Sequence, residues 1–353
     1  MSAIREIILE KEAGFSRYVM IVKNGHEPKL KPLSRVNLFV GANNSGKSRF
    51  MRELAKIKKL RFQPNARVHE FKTLRDSFYE SLKAIYAAHG VAEINSGIPK
   101  LEKIPSQDCA TEGEEFLWPV IDVMQGLLQT KSEQVHYSYR GGYDPATVLN
   151  KAQNLAIDLS PRMKALVENV PRRYEFKRLY IPVLRGLRRL PNHVDPYGER
   201  TRTDYFSDSQ QVEVFTGLTL YEDIKKLLLG TLEDREIVSD FQTFLSEAFF
   251  HGNPVALIPR HDSQDLHVKI GQETEYPISS LGDGIQSIIA LTFPLFRARG
   301  QSLLIFIEEP EMFLHPGLQR LFLNVLLTTE GFSNFQYFIA THSNHFVGVK
   351  VFL

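Results

Sequence analysis

Two rhythms of apolar residues run along this chain. Strand-length apolar runs stand at residues 35–40, 179–184, 255–259, 266–270, 303–307 and 335–340. The run Leu303-Leu304-Ile305-Phe306-Ile307 has no polar member, as expected of a strand covered on both faces. Elsewhere the apolar positions recur every three or four residues. Phe50, Leu54 and Ile57 form one such set, Ile237, Phe241, Phe244, Leu245 and Ala248 a second, and Leu318, Leu321, Phe322, Val325 and Leu326 a third. That spacing predicts helices with one buried face. Helical patterns also cover residues 117–128, the stretch ending near residue 169, and residues 215–229, closed by Gly230. Pro294 predicts a kink or stop in a helix that begins near residue 286. Ile4, Ile7, Ile8 and Leu9, the run 18–22 and the turn at Asn24-Gly25 predict a small antiparallel sheet leading into the strand at 35–40. Residues 91–113, 138–147 and 191–210 are rich in Gly, Pro, Ser or charge and read as loops.

Composition narrows the classes. The chain has 353 residues, 43% hydrophobic and 24% charged, ordinary for a globular protein that buries one large core or two smaller ones. No apolar run approaches the roughly 20 residues of a membrane helix, and no signal pattern opens the chain, so no membrane partner is expected. Cys109 is the only cysteine, which rules out an intrachain disulfide and fits a cytoplasmic protein. The 43 basic side chains against 41 acidic ones give no bulk attraction to nucleic acid. One local cluster stands out: Arg172, Arg173, Lys177, Arg178, Arg185, Arg188 and Arg189. It fits phosphate contacts to DNA, or equally a solvated face or part of a nucleotide site. The basic residues Arg49, Arg52, Lys56, Lys58, Lys59 and Arg61 read as a solvated helix face.

The chemistry starts at residues 41–48. Gly41, Ala42, Asn43, Asn44, Ser45, Gly46, Lys47 and Ser48 fit the phosphate-loop pattern of two glycines four residues apart, then Lys and Ser. A strand precedes them and a helix follows. In that setting backbone N–H groups and the helix N-terminus cradle a phosphate chain, Lys47 reaches the outer phosphates and the Ser48 hydroxyl helps hold Mg²⁺. Glu308 and Glu309 end a buried strand. The first can hold Mg²⁺, and the second can polarise an attacking water. His342 ends the next strand and can donate a hydrogen bond to the terminal phosphate. His315 and His345 have no such support.

The ordered set GANNSGKS, SSLGDGIQ, LLIFIEEPE, LHP and IATHS resembles the ABC-type ATPases of the RecF/SMC class, and most closely their OLD-like group. The resemblance covers roughly residues 1–60 and 175–345. It implies ATP and Mg²⁺ as ligands, Glu309 as the catalytic glutamate, Glu308 as the metal-side acid and His342 as the switch histidine. Residues 311–315 resemble the D-loop, and Leu281, Gly282, Asp283 and Gly284 lie in a segment like the signature loop that caps a partner subunit's nucleotide. Three departures are visible. Glu308 replaces the commoner Asp. Gly282-Asp283 replaces Ser-Gly, leaving Ser279, Ser280 or backbone N–H groups to substitute. The glutamine that follows the first lobe has only Gln63 as a weak counterpart. Residues 180–185 resemble a strand-plus-arginine element without an evident role.

The expected architecture is an α/β P-loop NTPase: an ABC-type ATPase head with a mixed sheet flanked by helices and a helical insertion. Residues 1–60 and 175–353 would form the two-lobed ATPase domain, and residues 61–174 the insertion. The expected function is an ATP-hydrolysing switch, with a non-hydrolysing nucleotide-gated scaffold as the alternative. A homodimer or higher oligomer would form through shared ATP sites. A separate effector protein or DNA is a possible partner, in anti-phage defence or DNA repair. Too few residues follow His342 for the Toprim nuclease domain of OLD-family members, so no nuclease is expected in this chain.

Overall fold

The computed structural model describes residues 4–9, 13–15, 28–64, 67–89, 109–131, 145–188, 195–263 and 265–347. Its centre is a five-stranded parallel sheet in the order β3-β12-β11-β6-β7. These strands are β3 Val36–Val40, β6 Lys177–Ile181, β7 Val212–Val214, β11 Leu303–Glu308 and β12 Phe335–Thr341. Parallel neighbours need long crossovers, and the helices between them supply these.

Alternation along the central strands sorts two cores. Leu304 and Phe306 of β11, Phe338 and Ala340 of β12 and Tyr180 of β6 face one cluster. Leu303, Ile305 and Ile307, then Phe335, Tyr337 and Ile339, then Leu179 and Ile181 face the other. This period of two explains why β11 reads as unbroken hydrophobicity: both of its faces are covered.

The first cluster also takes in α1 (Lys47–Lys56), α2 (Val68–Ala88), α3 (Trp118–Gln129) and α4 (Pro145–Val167). A four-stranded antiparallel sheet, β2-β1-β4-β5, belongs to the same side, with β1 Ile4–Ile8, β2 Lys29–Leu30, β4 Arg61–Pro64 and β5 Ala110–Thr111. Parallel and antiparallel strands are therefore divided between sheets. The second cluster packs α6 (Leu220–Leu228), α7 (Leu232–Phe249), α8 (Asp283–Arg297) and α9 (Pro316–Thr328) beneath the sheet. A three-stranded sheet joins them: β8 Val255–Pro259, β9 Leu266–Ile270 and β10 Tyr276–Pro277.

Three local expectations are corrected. The polar stretch 191–210 holds a helix, α5 (Pro196–Tyr205), started by the Asp195 side chain accepting from Gly198 N, with Pro196 in the first turn. It is polar on most sides, so periodicity does not show it, but its cap does. Residues 212–214 form the edge strand β7, and the helix expected from 215 begins at Leu220. Helix α8 runs past Pro294 to Arg297, because the proline falls in its last turn. The run 18–22 and most of the expected loops at 91–113 and 138–147 lie outside the described residues.

Candidate active site

Parallel register brings the motif ends to one edge of the sheet. Val40 pairs with Thr341, Ala340 with Glu308, and Ile307 with Ile181. Three of the strands end there in polar segments, the loop 41–48, Glu308-Glu309 and His342-Ser343, and the turn after β6 brings Arg185. Ligand sites of parallel α/β sheets form at this carboxyl edge.

The loop 41–48 opens helix α1. Gly46 occupies the position before the helix with φ 92°, and Asn44 has φ 61°, so both lie in the left-handed region. No side chain caps the helix, and its first turn holds no acid. Its positive end is thus left to the loop. By contrast, α7 starts with a capping box of Thr231 and Asp234. Lys47 Nζ donates to Gly41 O at 2.8 Å and Ala42 O at 3.0 Å, which holds the ammonium over the loop.

Lys47, Glu309 and His342 meet, although more than 260 residues separate the first from the others (positions 47, 309 and 342). Lys47 Nζ lies 3.4 Å from His342 Nδ1 and 3.3 Å from Nε2. Glu309 Oε1 lies 3.3 Å from His342 Nε2. With its proton on Nε2, the imidazole donates to Glu309 and can accept from Lys47 at Nδ1, so one tautomer serves both contacts. The Glu309 and His342 side chains are about one third exposed, at 29% and 31%, open enough for a substrate to reach.

Glu308 is different. It is 2% exposed, and its Oε1 accepts from Arg52 Nη2 at 2.6 Å. Arg52 Nε donates to the Tyr180 hydroxyl at 2.9 Å, and its guanidinium lies 3.7 Å from the centre of the Tyr205 ring. Burial alone would lower the Arg52 pKa, but facing Tyr180 and Glu308 more than offsets this and holds it above the ordinary value. Burial first, and then the Glu308 carboxylate, push the Tyr180 phenol well above its usual range. Arg52 is thus not part of a solvated helix face, as its basic neighbours suggested; it is the counter-charge of a buried carboxylate. Arg49, Lys58 and Lys59 are exposed, but α1 ends at Lys56, so Lys58 and Lys59 lie beyond the helix and Arg61 is a half-buried residue of β4.

The turn after β11 is held from two sides. Glu309 has φ 42°, unusual for a residue with a side chain, and its N–H donates to Ala340 O at 2.7 Å. Arg185 Nη1 donates to Pro182 O at 2.8 Å and Glu308 O at 2.7 Å, and Nη2 to Glu309 O at 2.9 Å. Burial pushes the Arg185 pKa down to about 10, against the pull of Glu311, Glu308 and Glu309. Glu311 Oε1 accepts from His342 N at 2.6 Å. Its Oε2 is buried with no hydrogen-bond partner among the described residues.

The signature-like segment lies at the start of α8. Gly282 is its N-cap residue and Asp283 its first residue. The segment abuts the turn after Glu309: a Cβ on Gly284 would come within 3.3 Å of Phe313 O. Of the basic cluster, Arg178 is buried against Glu112, Arg185 holds the Glu309 turn, and Arg172 makes a two-pronged pair with Asp122. Arg173, Lys177 and Arg188 are exposed, and Arg189 lies outside the described residues. Gln63 is paired opposite Glu6 in the antiparallel sheet and lines a cavity there of about 670 Å³ with Arg5, Lys29 and Arg67.

Residues 209–347 match the family model described as an AAA ATPase domain, which takes in the signature-like segment, Glu308, Glu309 and His342. The matched residues take in β11, β12 and helices α6 to α9 of the α/β fold described above. A stretch of 78 residues is 41% identical to an OLD nuclease of Thermus scotoductus, covering 22% of this chain and 15% of that protein's length. The SMC head domain of Thermotoga maritima aligns over 35% of this chain and 43% of its own, at 15% identity and a TM-score of 0.25. A Pyrococcus furiosus Smc head with an extended coiled coil, bound to the C-terminal domain of ScpA, aligns over 89% and 56% at 8% identity and a TM-score of 0.24. No described helix is long and apolar enough to cross a membrane.

The donors around the ATPase loop suit a Mg²⁺ nucleotide. No group of three or more His, Cys, Asp or Glu side chains among the described residues could hold a metal ion alone. Of the two residues expected to hold the metal, Glu308 is buried and bonded to Arg52, and Ser48 lies in the first turn of α1.

Proposed function

We propose that this ATPase is a switch that hydrolyses ATP to ADP and phosphate, driven by Lys47, Glu309 and His342. The observation that carries this is the meeting of those three side chains at the carboxyl edge of the sheet. Residues 41–48 hold the phosphates through backbone N–H groups. Lys47 balances charge on the outer phosphates. Glu309 accepts a hydrogen bond from the attacking water and aims it at the γ-phosphorus, and His342 donates to a γ-phosphate oxygen. Bound through Ser48 and Glu308, Mg²⁺ would neutralise charge on the β- and γ-phosphates. Purified protein with Mg-ATP is expected to release phosphate, and Lys47→Ala to abolish that release. Release unchanged by Lys47→Ala would refute the reading.

The signature-like segment favours a second reading. Gly282 stands where a hydroxyl usually faces the γ-phosphate, and its loss suits a nucleotide-gated scaffold that does not hydrolyse. Robust, Lys47-dependent turnover excludes it.

Assembly follows from the signature-like segment. Leu281, Gly282, Asp283 and Gly284 of one subunit would close the phosphate site of another, giving two identical sites in a closed dimer. Gly282 is the clean probe, because a Cβ there meets nothing within 4 Å inside the chain, unlike Gly284. Gly282→Glu should melt within a few degrees of wild type, as surface changes do. Combined with Glu309→Gln, it should abolish the dimer that Mg-ATP otherwise produces on sizing. A dimer indifferent to Gly282→Glu would remove the shared site.

Residues 1–60 and 175–353 form the ATPase domain in this proposal, and residues 61–174 the insertion. The Thermus relative's name, OLD nuclease, supports a role beside nucleic acid. Anti-phage defence or DNA repair in the cytoplasm, with a separate effector or DNA as partner, completes the proposal. Arg173, Lys177 and Arg188 are the exposed basic residues left for DNA phosphates. Their charge reversal should flatten the salt dependence of any DNA binding.

A further inference from the structure

We infer that Arg185 is the positioning residue of Glu309: it fixes the backbone turn from which the glutamate reaches the attacking water. The inference deepens the ATPase reading and rests on it. Glu309 is held at φ 42°, a region that a side-chain-bearing residue rarely adopts and that persists only when its surroundings impose it. Arg185 is the element that imposes it. One guanidinium bonds three carbonyls, Pro182 O, Glu308 O and Glu309 O, and so ties the turn after β6 to both peptide units around Glu309. A planar fork of fixed donors can span these three acceptors at once, whereas an ammonium on a flexible stem cannot hold the same geometry. The opposite side of the turn is tied by Glu309 N to Ala340 O and by Glu311 Oε1 to His342 N. With Arg185 removed, these two bonds and the local bonds Met312 N to Glu309 O and Leu314 N to Glu311 O remain, but the guanidinium tie from Glu308 O and Glu309 O to the turn after β6 is lost and the Glu309 carboxylate can move relative to His342. A displacement of about 1 Å in such a group can cost about a hundredfold in rate.

Arg185→Lys and Arg185→Gln test this. Each keeps at least one donor, and Lys keeps the charge. Thermal melts establish that the variants fold, a fluorescent ATP analogue reads affinity, and phosphate release reads turnover. The expected result is a cooperative melt, nucleotide affinity within about threefold of wild type, and kcat lower by about tenfold to a hundredfold. In a Glu309→Gln background the same substitutions should change the residual rate less than about twofold, since the group being positioned is gone. An unchanged kcat in a folded variant overturns the inference. So does an equal fold-loss with and without Glu309, a loss confined to nucleotide affinity, or the absence of a cooperative melt in both variants, which would make Arg185 structural. Wild-type turnover and its Lys47 dependence, measured beside these, test the ATPase reading separately.

Discussion

Glu309→Gln is expected to bind ATP as the wild type does and to hydrolyse it at least about a hundredfold more slowly, the range lost with a general base. The substitution keeps the shape of the side chain and removes its charge. The strained turn is secured through main-chain groups, the Glu309 N–H to Ala340 O and both carbonyls to Arg185, and none of these depends on the carboxylate. The fold and the phosphate loop therefore stay as they are. The lost property is basicity towards the water beside His342: the amide oxygen still accepts a hydrogen bond but cannot take a proton. Phosphate release and nucleotide binding measured on the same preparation decide the matter: turnover close to wild type would remove Glu309 from the chemistry.

Glu112→Ala should cost about 3–5 kcal/mol of stability, the range seen when one partner of a buried pair is removed. Arg178 is 2% exposed, and its Nη2 donates to Glu112 Oε2, while Nη1 donates to Gln211 Oε1 at 2.6 Å. Glu112 also accepts from Phe176 N at 3.2 Å. Burial raises the Glu112 pKa and lowers that of Arg178, so each ion bears a desolvation cost that its partner offsets most, ahead of the backbone bonds to Glu112. The pair ties the segment around β5 to β6 of the central sheet, so its loss should loosen that segment from the sheet. Urea unfolding would show a lower midpoint. Glu112→Leu with Arg178→Met should return close to wild type, because an apolar replacement of a buried pair is often neutral or better. A cost below about 1 kcal/mol for the single substitution would mean that the pair holds nothing in place.

The central strands and the phosphate loop were legible because local chemistry dictates them. Residues 255–259 and 266–270 form strands with the bounds expected from their pattern, and β11 adds only Glu308 to the apolar run. The site could be read as a set of motifs in order, but not as contacts. Arg52 looked like one basic residue among six, and no periodicity distinguishes it; its partner Glu308 is 256 residues away. Arg185 looked like part of a basic cluster, yet its donors are used on carbonyls that any sequence would supply. Side chains that serve backbone groups leave no partner residue type to search for. Helix α5 was missed for the opposite reason: its Asp195-Pro196 start was visible, but its polar faces outweighed that signal.

The strand that delivers the phosphate loop, β3, has one partner in the central sheet, β12, and Asn37 reaches across a separation of 300 residues to bond Tyr337 O. During synthesis at roughly 5–20 residues per second, β3 therefore leaves the ribosome about 15–60 s before its neighbour exists. Contacts this distant in sequence form late. The nucleotide site cannot mature with the segment that carries its best-known motif; it waits for β12, some 300 residues later. ATP thus cannot assist the folding of a nascent chain that has not yet reached β12.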